Sequence, residues 1–270
     1  MADAVTSFGT YRHLVAAQVR GQLSYRSSFV LNCFGQMLAQ CTDLVVILVL
    51  FSRVASLGGF GVRDVLLIYS LAGLSFGLAD LVVGSIDQLP TFIRTGEFDV
   101  VLLRPLGTLA QLAASDFQLR RLGRVITALG VLGYVLSTSD LDWTVARVAL
   151  LVVTPLAGMV IFSSIFVAAN SVCFWFIDSR ELANTVTYGG SYFTSYPITV
   201  FTGWLRTFLA YVVPGAFVAY YPALVLIGRA DPLGAPTWLC SVSPVVALLS
   251  ALGAATVWRR AVRHYRGTGS

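Results

Sequence analysis

The sequence contains no lysine and little charge of either sign. Its 18 strongly basic residues are all arginines, the acidic residues number 13, and charged residues make up 11% of the 270 positions, whereas soluble globular proteins carry about 25%. Hydrophobic residues account for 57% of the chain. This composition excludes an ordinary soluble domain and is typical of a protein built into a lipid bilayer.

Motifs for nucleotide binding and hydrolysis are also missing. A P-loop requires a lysine that reaches the nucleotide phosphates, so a lysine-free chain has none. The two histidines, His13 and His264, lie in terminal segments, and neither HExxH nor GxSxG occurs. We predict that the chain is not an enzyme and holds no cofactor, and that any ATP and Mg it depends on are bound by another polypeptide.

The cysteines give no sign of a metal site or a disulfide framework. Cys33, Cys41, Cys173 and Cys240 lie in or beside apolar runs and show no CxxC spacing. Free cysteine usually behaves as a small buried apolar residue. We therefore expect no metal and no disulfide.

Long apolar runs dominate the chain. A helix needs about 20 apolar residues to cross a bilayer, and six runs approach or exceed that length: Phe29 to Phe51, Val65 to Ile86, Leu122 to Leu136, Val148 to Ile177, Leu182 to Phe201 and Trp238 to Trp258. A seventh stretch, 203–229, is broken by Pro214, Gly215 and Pro222. We predict an all-α polytopic membrane protein, one domain over residues 1–270, with six transmembrane helices and broken re-entrant helices between the fifth and sixth.

The arginines indicate the orientation of these spans. An even number of crossings puts both termini on one side. That side carries 13 arginines and the other side 5, namely Arg53, Arg63, Arg147, Arg206 and Arg229. The positive-inside rule therefore predicts cytoplasmic termini. The arginines flank spans and form no single basic face, so we predict contact with membrane lipid and no binding of nucleic acid.

The segment before the first span has the pattern of an interfacial helix. Within residues 8–24, one broad helical face is apolar and is formed by Phe8, Tyr11, Leu14, Val15, Val19 and Leu23. No short apolar core precedes a small-residue cleavage site, so we expect no removable signal peptide. We predict an amphipathic helix that lies along the inner leaflet.

The first span carries a polar stripe. Asn32, Gln36, Gln40 and Asp43 recur at steps of 4, 4 and 3, which places them on one helical face. Amides in such positions often form hydrogen bonds between helices. The alternative is that they line a translocation path, and Asp43 favours it because an intramembrane carboxylate normally faces a bundle interior or water.

Two other spans carry candidate path residues. Asp80 lies on a stripe of small residues in the second span that includes the GxxxG pair Gly73 and Gly77, a pattern for close helix packing. The fifth span is too polar to face lipid along its whole length, and Tyr188, Tyr192 and Tyr196 are placed either for packing or for stacking on an amphiphilic substrate.

A charged segment, RTGEFDVVLLRPLG, interrupts the apolar runs from Arg94 to Gly107. It lies in the cytoplasmic stretch 87–121 between the second and third spans. It is either a solvated loop that meets the topology requirement or a short docking helix. The apolar residues of FDVVLL favour docking, because a loop without a partner has little reason to expose them.

These patterns resemble the membrane permeases of ATP-binding-cassette (ABC) transporters of the type-2 superfamily, the exporter type. The segment RTGEFDVVLLRPLGTLAQ is similar to a cytoplasmic motif of one branch of that family. Tyr196 to Arg229 is similar to its proline-rich segment, and WRRAVRHYRGTGS, from Trp258 to Ser270, is similar to its terminal segment.

The resemblance implies a connecting helix at 8–24, a coupling helix within 87–121 and re-entrant helices at 203–229. It implies a dimer of two related or identical permease chains bound to a cytoplasmic ABC ATPase dimer, in the cytoplasmic (inner) membrane of a bacterium. The residues that would form the coupling contact are Gly96, Glu97, Phe98, Asp99, Arg104 and Pro105. The alternative that the residues leave open is a membrane scaffold or immunity protein that transports nothing.

Overall fold

The computed structural model describes residues 18–22, 26–116, 118–139, 142–176 and 179–265. Within these residues the chain is helical and contains no strand, apart from an isolated antiparallel bridge between Leu57 and Phe60. Of the connecting helix predicted at 8–24, only residues 18–22 are described, and they are helical. The rest of that prediction lies outside the described residues.

Eleven α-helices are described along the chain, which we number in order. They are α1 Arg26–Phe51, α2 Val62–Val83, α3 Leu89–Arg94, α4 Glu97–Leu103, α5 Thr108–Ser115, α6 Leu122–Thr138, α7 Val145–Ser171, α8 Arg180–Thr194, α9 Gly203–Thr207, α10 Tyr220–Ile227 and α11 Ser243–His264. Short 3₁₀ turns join several of them, and a π-helical turn, Phe208–Val212, continues α9.

Four helical segments are long and apolar enough to cross a membrane. They are Phe29–Phe51, Val62–Arg94, Val145–Phe174 and Ser243–His264, and they match four of the six predicted spans. The broken stretch forms two pieces, Gly203–Val212 and Gly215–Ile227, bent by 61°. Counting that bent pair as one span gives five.

The other two predicted spans are shorter helices. The run from Leu122 forms α6, which has 17 residues. The run from Leu182 to Phe201 forms α8, which has 15 residues and ends at Thr194, three residues before Pro197. Proline cannot donate to the helix ladder and disfavours a helical residue before it, so the helix cannot continue through the apolar run.

The core of the bundle is built around α2. Along its span 83% of the residues in the most apolar window are buried, compared with 11% for α1. It packs mainly against α6 and α7 and also touches α8. α2 is therefore the central helix, and α1 packs against the bundle chiefly through α6.

Small residues allow the close approach of these helices. A Cβ at Gly158 of α7 would lie 2.6 Å from Ser75 Cβ and 3.1 Å from Val218 Cγ1, and a Cβ at Gly77 of α2 would lie 2.9 Å from Val125 Cγ2. Gly73 also faces α6, where a Cβ would meet Ala128 at 3.5 Å. The GxxxG pair therefore lies at a helix contact, as its pattern predicts.

We predict that Gly158→Val destabilises the bundle because the new side chain would collide with Ser75. Overpacking of this kind typically costs about 1–3 kcal/mol. The matched control is Gly130→Val in α6, where nothing lies within 4 Å of an added Cβ. The measurement is the melting temperature of the purified protein in detergent, and equal losses for both variants would contradict the close packing of α2 and α7.

Candidate coupling surface and membrane cleft

α4 is set apart from α3 by a left-handed glycine. Gly96 has φ 73°, which breaks the helical path, and Glu97 and Asp99 then occupy the first turn of α4, where acidic side chains favour the helix N-terminus. The helix ends at Leu103. Arg104 is extended, as the residue before Pro105 is expected to be.

The side of α4 that faces the bundle is aromatic. Phe98 is fully buried, and its ring centroid lies 5.2 Å from that of Phe174 and 4.9 Å from that of Tyr265, both edge-on. Phe174 in turn packs edge-on against Trp258, with ring centroids 5.6 Å apart. Of the predicted coupling residues, Phe98 therefore faces inward and holds the helix in place.

The opposite side of α4 is open and combines charge with apolar surface. Glu97, Asp99 and Arg104 are exposed. Leu103 is 85% exposed and Val100 is 50% exposed. The exposed side of α4 therefore presents apolar side chains next to two acidic residues and an arginine.

Hydrogen bonds from α5 hold α4 and the segment after it in place. The buried side-chain amide of Gln111 donates to the Val101 carbonyl at 3.0 Å and to the Leu106 carbonyl at 2.8 Å. The indole of Trp258 donates to Thr108 Oγ1 at 3.3 Å. These bonds connect α4, α5 and α11.

The last described residue reaches the same place. The Tyr265 hydroxyl is buried beside the Asp99 carboxylate without a hydrogen bond of normal geometry. Burial, and then the neighbouring carboxylate, raise the pKa of Tyr265 above its usual value. The phenol therefore lies against an acidic side chain of the exposed surface.

A second candidate site is a polar cleft inside the bundle, between α1, α2, α6 and α8. Its polar lining side chains are Gln40, Asp43, Tyr69, Arg124, Ser191, Tyr192, Ser195 and Tyr196. Tyr69 donates its hydroxyl to the Gln40 carbonyl at 3.2 Å, which ties α2 to α1. Four of the eight predicted path residues, Gln40, Asp43, Tyr192 and Tyr196, therefore share one cleft.

The cleft is narrow. Its volume is about 30 Å³, enough for one or two water molecules, for which about 10–15 Å³ each suffices. Arg124 lies over the Phe76 ring at 4.5 Å from its centroid, an arrangement that stabilises a guanidinium away from water. In this conformation the cleft holds a carboxylate and a guanidinium but no room for a larger solute.

The other predicted path residues lie elsewhere. Asn32 is exposed and lines a separate pocket near residues 18–22. Gln36 lies where α1 crosses α6, because a Cβ at Gly123 would be 3.0 Å from Gln36 Cβ and 2.6 Å from the Cys33 carbonyl. Gln36 is therefore at the contact between helices and Asn32 in another pocket, and neither lines the cleft.

Asp80 is engaged in a buried ion pair. Its Oδ1 lies 3.3 Å from Arg121 Nε, and Arg121 Nη1 donates to the Asp80 backbone carbonyl at 2.8 Å. Both side chains are about nine-tenths buried. A side chain at Gly84 would collide with both partners, so glycine there keeps the space for the pair.

Tyr188 is engaged next to this pair. Its hydroxyl donates to Asp87 Oδ2 at 2.8 Å, and the Asn170 side chain donates to Asp87 Oδ1 at 3.3 Å. Asp87 is in the 3₁₀ turn after α2, Asn170 in α7 and Tyr188 in α8. The carboxylate thus joins three elements at one end of the bundle.

Sequence reasoning missed several of these partners. Arg121 and Arg124 were counted only as topology charges, although an arginine inside or at the edge of an apolar run is itself a sign of an intramembrane partner. Asn170 is a lone amide in the most apolar span, and it gave the same indication of an intramembrane partner. No such indication exists for Tyr69, because nothing in its spacing distinguishes it from tyrosines of the core.

A bundle of helices long and apolar enough to cross a bilayer, with polar side chains paired between them, is typical of an integral membrane protein. The family model described as ABC-2 family transporter protein matches residues 37–269. The chain therefore belongs to the ABC-2 transporter family. Membership implies a transmembrane permease subunit that is not itself catalytic and that associates with an ABC ATPase. No curated protein and no solved structure matches the chain.

We predict that Arg121→Met destabilises the protein strongly, because it leaves the buried Asp80 carboxylate without its partner. Breaking a buried pair in this way costs about 3–5 kcal/mol. Adding Asp80→Leu to Arg121→Met should recover part of the loss. The measurement is thermal stability in detergent.

The control for this prediction is the pair of Arg147 and Asp142, whose nitrogen and oxygen are 3.7 Å apart; the Arg147 side chain is 21% exposed and the Asp142 side chain 98% exposed, so water reaches the carboxylate. Loss of this ion pair in Arg147→Met should lower the free energy of unfolding by less than about 1 kcal/mol. A similar loss for Arg121→Met and Arg147→Met would argue against a structural role for the Asp80 pair.

Proposed function

We propose that the chain is the permease subunit of an ABC exporter, which moves an amphiphilic or drug-like substrate outward across a bacterial inner membrane. In this proposal six transmembrane segments place both termini in the cytoplasm, and α6, α8 and the bent pair adjust to the bilayer within the full assembly. ATP and Mg are bound by a separate ATPase dimer. A second permease chain, related or identical, completes the path.

The observation that carries the proposal is the two-sided construction of α4. One side is anchored by Phe98 in the bundle, and the other presents Glu97, Asp99 and the exposed Leu103. A helix anchored on one side and open on the other is suited to receive a partner and to pass on its movement. Gly96 and Pro105 set the ends of this element, and Arg104 adds a positive charge at its edge.

The polar cleft supports a path next to α1 and α8. It combines the Asp43 carboxylate with the tyrosines Tyr192 and Tyr196, which suits a solute that has both a polar group and an apolar body. Its small volume is consistent with a closed state. Opening by the ATPase requires two arrangements of the bundle whose balance nucleotide shifts.

The outer face of α1 supports a partner in the membrane. Leu31, Phe34 and Leu38 are 71%, 60% and 58% exposed. Helices in a bilayer associate through close contact of such faces. In the proposal this face meets the second permease chain.

We predict that Glu97→Arg combined with Asp99→Arg detaches or uncouples the ATPase, because two acidic contacts become repulsive at the docking surface. The protein should still reach the membrane, since added arginine on the cytoplasmic side agrees with the positive-inside rule. The measurements are co-purification with the ATPase in mild detergent and ATP-driven transport in vesicles.

The control is Glu181→Arg, which reverses an exposed acidic residue at the start of α8. It should leave ATPase binding unchanged. Normal co-purification and transport in the double variant would remove the coupling assignment. Wild-type chain recovered without any ATPase would favour the scaffold or immunity alternative.

We also predict that Leu103→Ser weakens ATPase association at least about tenfold, the effect of losing about 1.4 kcal/mol. Leu103 is 85% exposed, so the substitution removes contact with the partner and hardly alters the bundle. The control is Val145→Ser, an 89% exposed apolar residue at the start of α7 on the predicted outer side. Equal affinities for both variants, measured by titration of the ATPase onto nanodiscs, would contradict an apolar docking contact.

A further inference from the structure

Tyr265, the last described residue, packs against Phe98 of α4. Four rings form one cluster, which we call the aromatic clamp: Phe98, Phe174, Trp258 and Tyr265. In addition to the contacts described above, Phe174 and Tyr265 lie 6.0 Å apart between centroids and edge-on. The clamp joins α4 to the ends of two long helices, because Phe174 closes the span of α7, Trp258 lies in α11 and Tyr265 follows α11 directly.

We infer that the aromatic clamp, and not the covalent link to α2, passes the movement of α4 into α7 and α11. This inference rests on the proposed function, in which the ATPase moves α4. The clamp residues are positioning residues: they touch neither ATP nor the transported solute.

The covalent route is the weaker mechanical connection. Between α2 and α4 the chain runs through the 3₁₀ turn Gly84–Gln88, the six-residue α3 and then Gly96 with φ 73°. A glycine in this conformation can change its backbone angles at little cost, because it has no Cβ. A displacement of α4 is therefore absorbed at this joint.

The clamp is the stiffer connection. Phe98 is fully buried and Trp258 is 6% exposed, and close-packed interiors transmit displacement because they compress little. The Trp258 bond to Thr108 and the Gln111 bonds to α4 close a ring of contacts through α5. α11 also has its most extensive packing with α7, so the two helices are placed to move together.

One member of the clamp, Tyr265, touches the docking surface, because its hydroxyl lies beside the Asp99 carboxylate. Phe98 faces the bundle and packs on Phe174, whereas Glu97, Asp99 and Leu103 are exposed. Changing Phe174 therefore leaves the contact side chains in place, and Tyr265→Phe controls for the hydroxyl beside Asp99. Loss of coupling and loss of ATPase binding become distinguishable.

The test uses the full complex of permease and ATPase in lipid nanodiscs. Spin labels are attached at Leu129→Cys in α6 and Leu248→Cys in α11, both at least half exposed, in a chain with Cys33→Ser and Cys41→Ser. The probe is ATP with vanadate. The distance between the two labels is measured with and without nucleotide. The readout is the ratio of the short-distance population to the long-distance population in each condition.

In the wild type, nucleotide should shift this ratio. In Phe174→Leu and in Tyr265→Leu the shift should be at least about fivefold smaller, the lower end of coupling between two sites, while ATPase co-purification stays the same. Tyr265→Phe keeps the ring and should restore the shift. Combining Phe174→Leu with Tyr265→Leu should reduce the shift no further than the more affected single variant does, because the two rings act as one unit.

The matched control is Phe217→Leu. Phe217 is buried and its ring lies 5.0 Å from that of Tyr221, but it contacts the other end of α11, where Ser243 donates to its carbonyl at 2.7 Å. A wild-type shift in both clamp variants, or an equal loss in Phe217→Leu, would overturn the inference and leave the proposed function standing. If the wild-type chain binds no ATPase, or if nucleotide causes no shift in the wild-type complex, the proposed function is overturned, and the inference with it.

Discussion

The close packing of α2 against α6 and α7 is the contact on which the rest of the molecule depends. In hydrocarbon, apolar side chains gain little by leaving lipid for protein, so helices associate through close van der Waals contact and hydrogen bonds. Gly77 and Gly158 permit that approach, with neighbouring atoms where a Cβ would stand. Everything that has a candidate function is attached to this centre: the cleft lies on one side of α2, and α4 continues from its end.

Buried charge is concentrated at one end of this packed centre. The Asp80–Arg121 pair and the Asp87 contacts with Tyr188 and Asn170 lie at the same end of α2. A buried carboxylate is tolerated only when it is paired or hydrogen-bonded. These contacts join the end of α2 and the turn after it to α7, to α8 and to the turn that precedes α6, close in sequence to the segment that leads to α4.

Residue patterns predicted the all-helical fold class, but not the partners of individual polar residues. The helical period showed that Gln40 and Asp43 share a face, and the structure places both in one cleft with Tyr192 and Tyr196. The same period grouped Asn32 and Gln36 with them, yet these lie outside the cleft, because α1 crosses α6 at Gly123 and leaves the bundle along part of its length. Phe98 was grouped with Glu97 and Asp99 by the coupling motif, although a seven-residue helix has two sides and Phe98 faces inward.

Composition and apolar run length were enough to predict a helical membrane protein, because a bilayer admits few backbone structures. Motif order along the chain was enough to indicate the family. Only the tertiary structure decided that the third and fifth apolar runs form helices of 17 and 15 residues, that Asp80 is paired with Arg121, and that the terminal Tyr265 packs on Phe98. Contacts between residues more than 40 positions apart depend on how helices cross, and local spacing carries no information about that crossing.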